Sequence, residues 1–179
     1  MWKRAIVLSG ALLALGPAGL PQEKTAAFSG PNAIAARQAG MDMSLLTIRS
    51  IEGAMKAGGE AKNQGFPAAV LAKWAKALPP LFPAGTAKGE TSVETQALPP
   101  LSQDHAGFER AAAYYAAATA RLADLAAAND TAGFTKQLEV VNQACNACHA
   151  TYKQAPPPGH GKYPTAASTA TSESAPSAV

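Results

Sequence analysis

Between residues 32 and 55 apolar side chains recur at spacings of three, four and seven, as Ile34, Met41, Leu45, Ile48 and Met55, with Gln38 and Glu52 in the gaps. That rhythm follows the 3.6-residue turn and predicts an amphipathic helix with a bundle-type seam. Pro31 and Asn32 suit its first turn, and Gly58-Gly59 its end. A second helix is predicted over residues 68–77, showing Val70, Trp74 and Ala77 on one face and stopped by Pro79-Pro80. Residues 78–101 read as one long ordered loop, bracketed by two copies of Ala-Leu-Pro-Pro-Leu that begin at Ala77 and Ala97. Five residues are too few for an architectural repeat, so both copies are helix punctuation.

The third helix is expected to open at Ser102 as its cap and to carry Phe108, Ala111, Tyr115, Ala118, Leu122 and Leu125 at coiled-coil spacing. Asn129-Asp130-Thr131 ends it and starts the fourth, on which Phe134, Leu138, Val141, Cys145, Cys148 and Tyr152 continue one seam. Both cysteines are therefore expected on the face that looks into the bundle. No segment alternates with a period of two, so the domain is all-α. It is placed at residues 30–154. Residues 155–179 are rich in Pro, Ala, Ser and Thr. A segment of that kind buries too little apolar surface to offset its ordering entropy, so a disordered tail is expected.

The chain has 179 residues, 47% of them hydrophobic, enough for one core and no more than one domain. Met1-Trp2-Lys3-Arg4, the apolar run to Leu15 and the small residues Gly16-Pro17-Ala18 read as a secretory signal over residues 1–18, cut somewhere between 18 and 27. A membrane anchor needs roughly 20 apolar residues, and Gly16, Pro17 and Gly19 interrupt this run first. Export to the periplasm is thus expected, with no membrane span in the mature chain. Removing Lys3 and Arg4 takes the formal charge from +3 to about +1, and no basic cluster remains to bind nucleic acid.

Only two cysteines are present, late and three apart, in Cys145-Asn146-Ala147-Cys148-His149. This is the C-x-x-C-H pattern of covalent haem attachment. One helical turn sets two sulfurs on the same side, where each can form a thioether to a porphyrin vinyl group, and His149 is then held as the proximal ligand to iron. A thiol–disulfide exchange pair would open a helix after a strand, where the dipole lowers the thiol pKa; here the pair lies well inside a helix. A structural zinc needs four ligands, and only His105 and His160 remain as imidazoles, one expected in solvent near the start of the third helix and one in the tail. A purely structural pair leaves both His149 and the export signal without a purpose. One covalent haem c per chain is the expectation. A non-haem helical interaction protein is the remaining class, and it predicts a colourless product.

With Arg37-Gln38-Ala39-Gly40-Met41 on the first helix, Cys145 to His149 and then Tyr152-Lys153 on the last, the chain resembles the class II c-type cytochromes, typified by cytochrome c′. The resemblance runs from about residue 33 to residue 153 and extends to Leu81-Phe82-Pro83-Ala84-Gly85-Thr86, similar to the family's Gly-Thr loop. It implies an antiparallel up-down-up-down four-helix bundle. It also implies that Arg37 and Gln38 lie beside the haem propionates, that Met41 faces the distal side of the iron, that Phe82 packs near the ring, and that Lys153 lies on the proximal side. Read from chemistry alone, the Arg37 guanidinium forks well onto a buried carboxylate, whereas a methionine on a seam is commonly core filler. The chain departs from the family where Ser102 stands in place of a common tryptophan, in its tail, and at Gly40, which is expected to leave room beside Met41.

Two roles follow. Met41 bonded to iron makes a low-spin electron carrier that serves redox partner proteins. Met41 merely packed over iron leaves a five-coordinate, high-spin site for a small gas such as nitric oxide or carbon monoxide. Electron transfer is the broader expectation, and an enzyme is not expected, because no second acid–base pair converges on the haem in sequence. Members of the family often pair through their first two helices, so a homodimer is an implied partner.

Overall fold

The structure is a computed structural model and describes residues 30–155. The signal segment and all but the first residue of the tail lie outside the described residues. Four long helices, α1 (Gly30–Lys56), α2 (Gly65–Ala77), α3 (His105–Ala127) and α4 (Thr131–Tyr152), run alternately up and down. Short helical turns at Ala61–Gln64, Pro79–Leu81 and Pro100–Gln103 join them. No strand occurs among the described residues; the chain forms isolated bridges, Lys88 with Thr91 and Ala97 with Lys153. The start of α1, the end of α2, the start of α3 and the end of α4 therefore share one end of the bundle. That end holds Arg37, Leu78, Phe108 and Cys148.

Local chemistry fixes the helix ends. Gly58, at φ +84°, closes α1 in a Schellman motif: its N–H donates to Met55 O at 3.0 Å and the Gly59 N–H to Ala54 O at 2.9 Å. Asp130 caps α4 by accepting from Gly133 N at 2.9 Å, and Asn129 takes φ +51° in the tight turn before it. The Asn129 and Thr131 side chains also accept from Lys62 N and Ala61 N, so the two connections at the far end of the bundle hold one another. α3 starts three residues later than Ser102: Asp104 is the cap, accepting from Gly107 N at 3.0 Å, while the Ser102 hydroxyl donates to Glu90 and to Pro99 O.

The core is continuous through Ile48, Ile51, Leu71, Leu78, Tyr115, Leu122, Phe134, Leu138 and Val141. The α3 and α4 seams follow most of the predicted positions: on α3 Ala112, Thr119 and Ala126 are buried as well and Ala111 is half-buried, and on α4 Ala144 is added while Cys145 and Cys148 are half-buried. The α1 and α2 seams do not. On α1 the buried positions are Ala33, Ile34, Arg37, Ser44, Ile48 and Ile51, while Met41, Leu45 and Met55 are half-buried. On α2 they are Ala68, Leu71 and Ala75; Val70 and Ala77 point outward, and Trp74 packs at the edge. Small residues mark the inner face of α2 because they let neighbouring backbones come close, and a hydropathy pattern undervalues them.

The expected room at Gly40 is absent. A Cβ there would fall inside the Trp74 ring, so the indole fills that space and its Nε1 is buried without a hydrogen-bond partner. α1 is also tied to α4 by Asn142 Nδ2, which donates to Glu52 Oε1 at 2.9 Å.

Candidate haem site

The long loop is held by side chains that point at it from α1. Arg37, only 3% exposed, donates through Nη1 to Thr86 Oγ1 (2.8 Å) and Leu81 O (3.3 Å), and through Nη2 to Thr86 O (2.6 Å) and Thr95 Oγ1 (2.8 Å). Gln38 Nε2 donates to Glu94 O at 3.1 Å. From the other side the end of α4 pairs with the same loop: Leu98 N donates to Tyr152 O and Gln154 N to Gln96 O. The loop is thereby clamped across the end of the bundle.

Beneath it lies a cavity of about 360 Å³, within the range of cofactor sites. It brings together seven sequence-predicted residues: Arg37, Gln38, Met41, Phe82, Cys148, His149 and Lys153. Cys145 is not among its lining. It sits one turn earlier, half-buried and packed against the main core, close enough to Cys148 and Tyr115 for their charges to interact. His105 is solvent-facing, 3.3 Å from Glu109, and takes no part in the cavity; His160 lies outside the described residues. Sequence reasoning missed Leu78, Thr95, Phe108 and Tyr152 as cavity walls. Phe108 and Tyr152 were legible as seam residues next to the motif, whereas Thr95 carries no sequence signal.

An aromatic stack forms one wall. The Phe82 and Phe108 centroids are 4.9 Å apart, Phe108 and Tyr152 meet edge-on at 5.7 Å, and the Arg37 guanidinium lies 4.6 Å from the Phe82 centroid. The Tyr152 hydroxyl donates to Asp104 Oδ2 at 3.2 Å, which joins the end of α4 to the cap of α3.

The electrostatics suit a metal-ligating imidazole. Burial, and then the nearby charge of Lys153, lowers the His149 pKa below its usual value, so the ring is neutral near pH 7, the form that binds iron. Burial pushes the Cys145 thiol up to about 11 and raises that of Cys148 too, so neither is a thiolate at neutral pH. This is the opposite of an exchange-active dithiol. No group of three or more His, Cys, Asp and Glu side chains is gathered among the described residues as a structural zinc requires.

These residues fit a haem. Two thiols one turn apart precede a neutral imidazole, with Cys148 and His149 on the cavity and Cys145 one turn behind them. Burial also lowers the Arg37 pKa, and its four hydrogen bonds to the loop all go to uncharged oxygens. A buried guanidinium held this way on the cavity wall, which Asp42 and Glu94 also line, suits a cofactor that brings carboxylates.

A four-helix bundle with C-x-x-C-H at its inner end defines a c-type cytochrome of the helical-bundle class. The family model described as Cytochrome C' matches residues 32–153. The chain belongs to the cytochrome c′ family, whose members hold haem c covalently. Among solved structures, cytochrome c′ from Thermochromatium tepidum is 28% identical, with TM-score 0.67, over 73% of this chain and 100% of that one. A cytochrome c′ with ligand-controlled dimer dissociation is 25% identical, with TM-score 0.66, over 71% and 98%. A nitric oxide complex of a variant from Alcaligenes xylosoxidans shares the fold at 19% identity, with TM-score 0.63, over 71% and 98%. No curated protein sequence matches the chain.

Proposed function

We propose that this protein is an exported periplasmic cytochrome holding one haem c, joined to Cys145 and Cys148 and ligated by His149, and that it passes single electrons between partner proteins. The observation that carries this reading is His149, half-buried and neutral, on a cavity whose rim at Gln38, Glu94, Gln96 and Lys153 is exposed. Such a site shields iron while leaving a cofactor edge within reach of a docked partner. When bound, haem supplies a one-electron iron centre. Arg37 contributes the buried positive charge that complements haem carboxylates, Gln38 lines the same wall, Phe82 packs on the ring side, and Lys153 stands on the side of His149. No helix among the described residues is long and apolar enough to cross a membrane. The role is not enzymatic.

Gas binding on the face opposite His149 is a second reading, favoured by Met41. Its side chain is half-buried, packed in part against the core while it also lines the cavity, and Leu78 and Phe82 extend the same apolar wall. A methionine engaged in packing would leave a bound iron open to a small uncharged ligand, and the Alcaligenes variant that shares the fold is a nitric oxide complex. Pairing of two copies through α1 and α2 is supported by exposed apolar side chains on both: Met43, Leu46, Phe66 (82% exposed) and Val70.

Visible spectra of the oxidised and reduced holoprotein, with and without carbon monoxide, separate the readings. A low-spin spectrum with a methionine-to-iron band, indifferent to the gas, supports a dedicated electron carrier. High-spin bands that shift on adding the gas establish the second reading, and Met41→Ala then alters them little.

A further inference from the structure

A second cavity, of about 550 Å³, lies beside the haem cavity, between the Pro79–Leu81 turn and the start of α3. Pro80, Ala84, Ser102 and His105 are exposed at its rim, and Leu101 is buried at its floor. Most of its wall is proline, alanine, leucine and phenylalanine, which offers a polar ligand little to bond but suits an apolar one.

Phe82 lines both cavities. Among the residues that line the two cavities, Phe82 is the one they share. The ring is half-buried, 4.6 Å from the Arg37 guanidinium and 4.9 Å from Phe108, and packs in part against both hydrophobic clusters of the bundle. The haem cavity's own rim carries Gln38, Glu94 and Lys153 and is the more polar approach.

We propose that the second cavity and Phe82 form the access route by which a small uncharged gas, carbon monoxide or nitric oxide, reaches the iron, with the Phe82 ring as its gate. The route rests on the gas-binding reading above. An apolar diatomic gains by leaving water for an apolar pocket, and rotation of the ring admits it without unfolding the loop that Arg37 holds. A gate differs from a contact at the iron in one measurable way. It raises or lowers the same barrier in both directions, so association and dissociation change together and the equilibrium constant stays put.

The test uses the ferrous holoprotein, carbon monoxide, stopped flow and flash photolysis. Ala84→Trp fills the second cavity at its rim, from a residue that does not itself line the haem cavity. It is expected to slow association and dissociation by the same factor, at least about threefold, with Kd unchanged. Phe82→Ala is expected to speed both. Glu109→Trp, on the opposite wall, repeats the plug should Ala84→Trp fail to fold. Carbon monoxide binding with rates indifferent to the plugs overturns the route alone, and so does a plug that changes Kd. A wild-type protein that shows no carbon monoxide spectrum overturns the gas-binding reading and the route with it.

Discussion

The Trp74 indole occupies the space that a side chain at position 40 would need, so α1 meets α2 at Gly40 with a ring on bare backbone. The sign of Gly40→Ala is therefore set by Trp74. In the wild type the added methyl group overpacks the contact and costs about 1–3 kcal/mol, which outweighs the roughly 1 kcal/mol that alanine contributes to a helix over glycine. In a Trp74→Leu background the same change is expected to be neutral or stabilising. Denaturant unfolding of the four proteins of this cycle checks the reversal.

Arg37 organises the loop over the site. Replacing it by methionine leaves Leu81 O and Thr86 O without their buried donors, and the expected cost is about 2–4 kcal/mol. Lysine keeps the charge but cannot fork between Thr86 and Thr95, so Arg37→Lys recovers only part of the loss. Hydrogen exchange should rise first at the amides of Lys88 and Leu98, whose bonds hold the loop to itself and to α4.

Asp104 serves two partners, the Gly107 amide and the Tyr152 hydroxyl. Asp104→Ala is expected to cost about 1–2 kcal/mol in thermal unfolding, the upper part of the range for a lost cap. Tyr152→Phe removes only the hydroxyl and should cost roughly 0.5–1.5 kcal/mol. Tyr152→Ala also loses the ring against Phe108 and should cost about 3–5 kcal/mol.

Glu90 gives a signed pH dependence. Hydrogen bonds from the Ser102 hydroxyl and the Ala87 amide hold its carboxyl below the ordinary value of 4.5. The unfolded chain therefore binds this proton more readily than the folded one. The stabilisation is present in full above the ordinary carboxylate range and is lost as pH falls through the lower, folded value. Carboxyl resonances followed by NMR should show Glu90 titrating low in the wild type and moving up in Ser102→Ala. A Glu90 that titrates at its ordinary value in both contradicts the contact.

Most of the α3 and α4 seams and the caps at Asp130 and Gly58 were legible in the sequence, because they rest on local spacing or on strong punctuation by glycine and aspartate. The association of residues 37–41 with residues 145–149 was implied by the resemblance to the family, not by spacing. The inner faces of α1 and α2 were harder because their buried positions carry Arg37, Ser44, Ala68 and Ala75, which a hydropathy rhythm does not count. Phe82 was legible from its loop motif, but its place on the wall of both cavities depends on where Pro79–Leu81 lies against α3. The partners of Arg37 stand 44 to 58 residues away in a loop with no periodicity, and the Trp74–Gly40 contact joins two helices by shape alone. Neither leaves a mark in one sequence.

The central claim is a haem held by thioethers at Cys145 and Cys148, and haem staining after denaturing electrophoresis tests it most directly. Protein made in an exporting host with haem-attachment machinery is expected to give a stained band at the mass of this chain, absent from the Cys145→Ser, Cys148→Ser double variant. A colourless band, or a pigment that washes off on denaturation, would contradict the account.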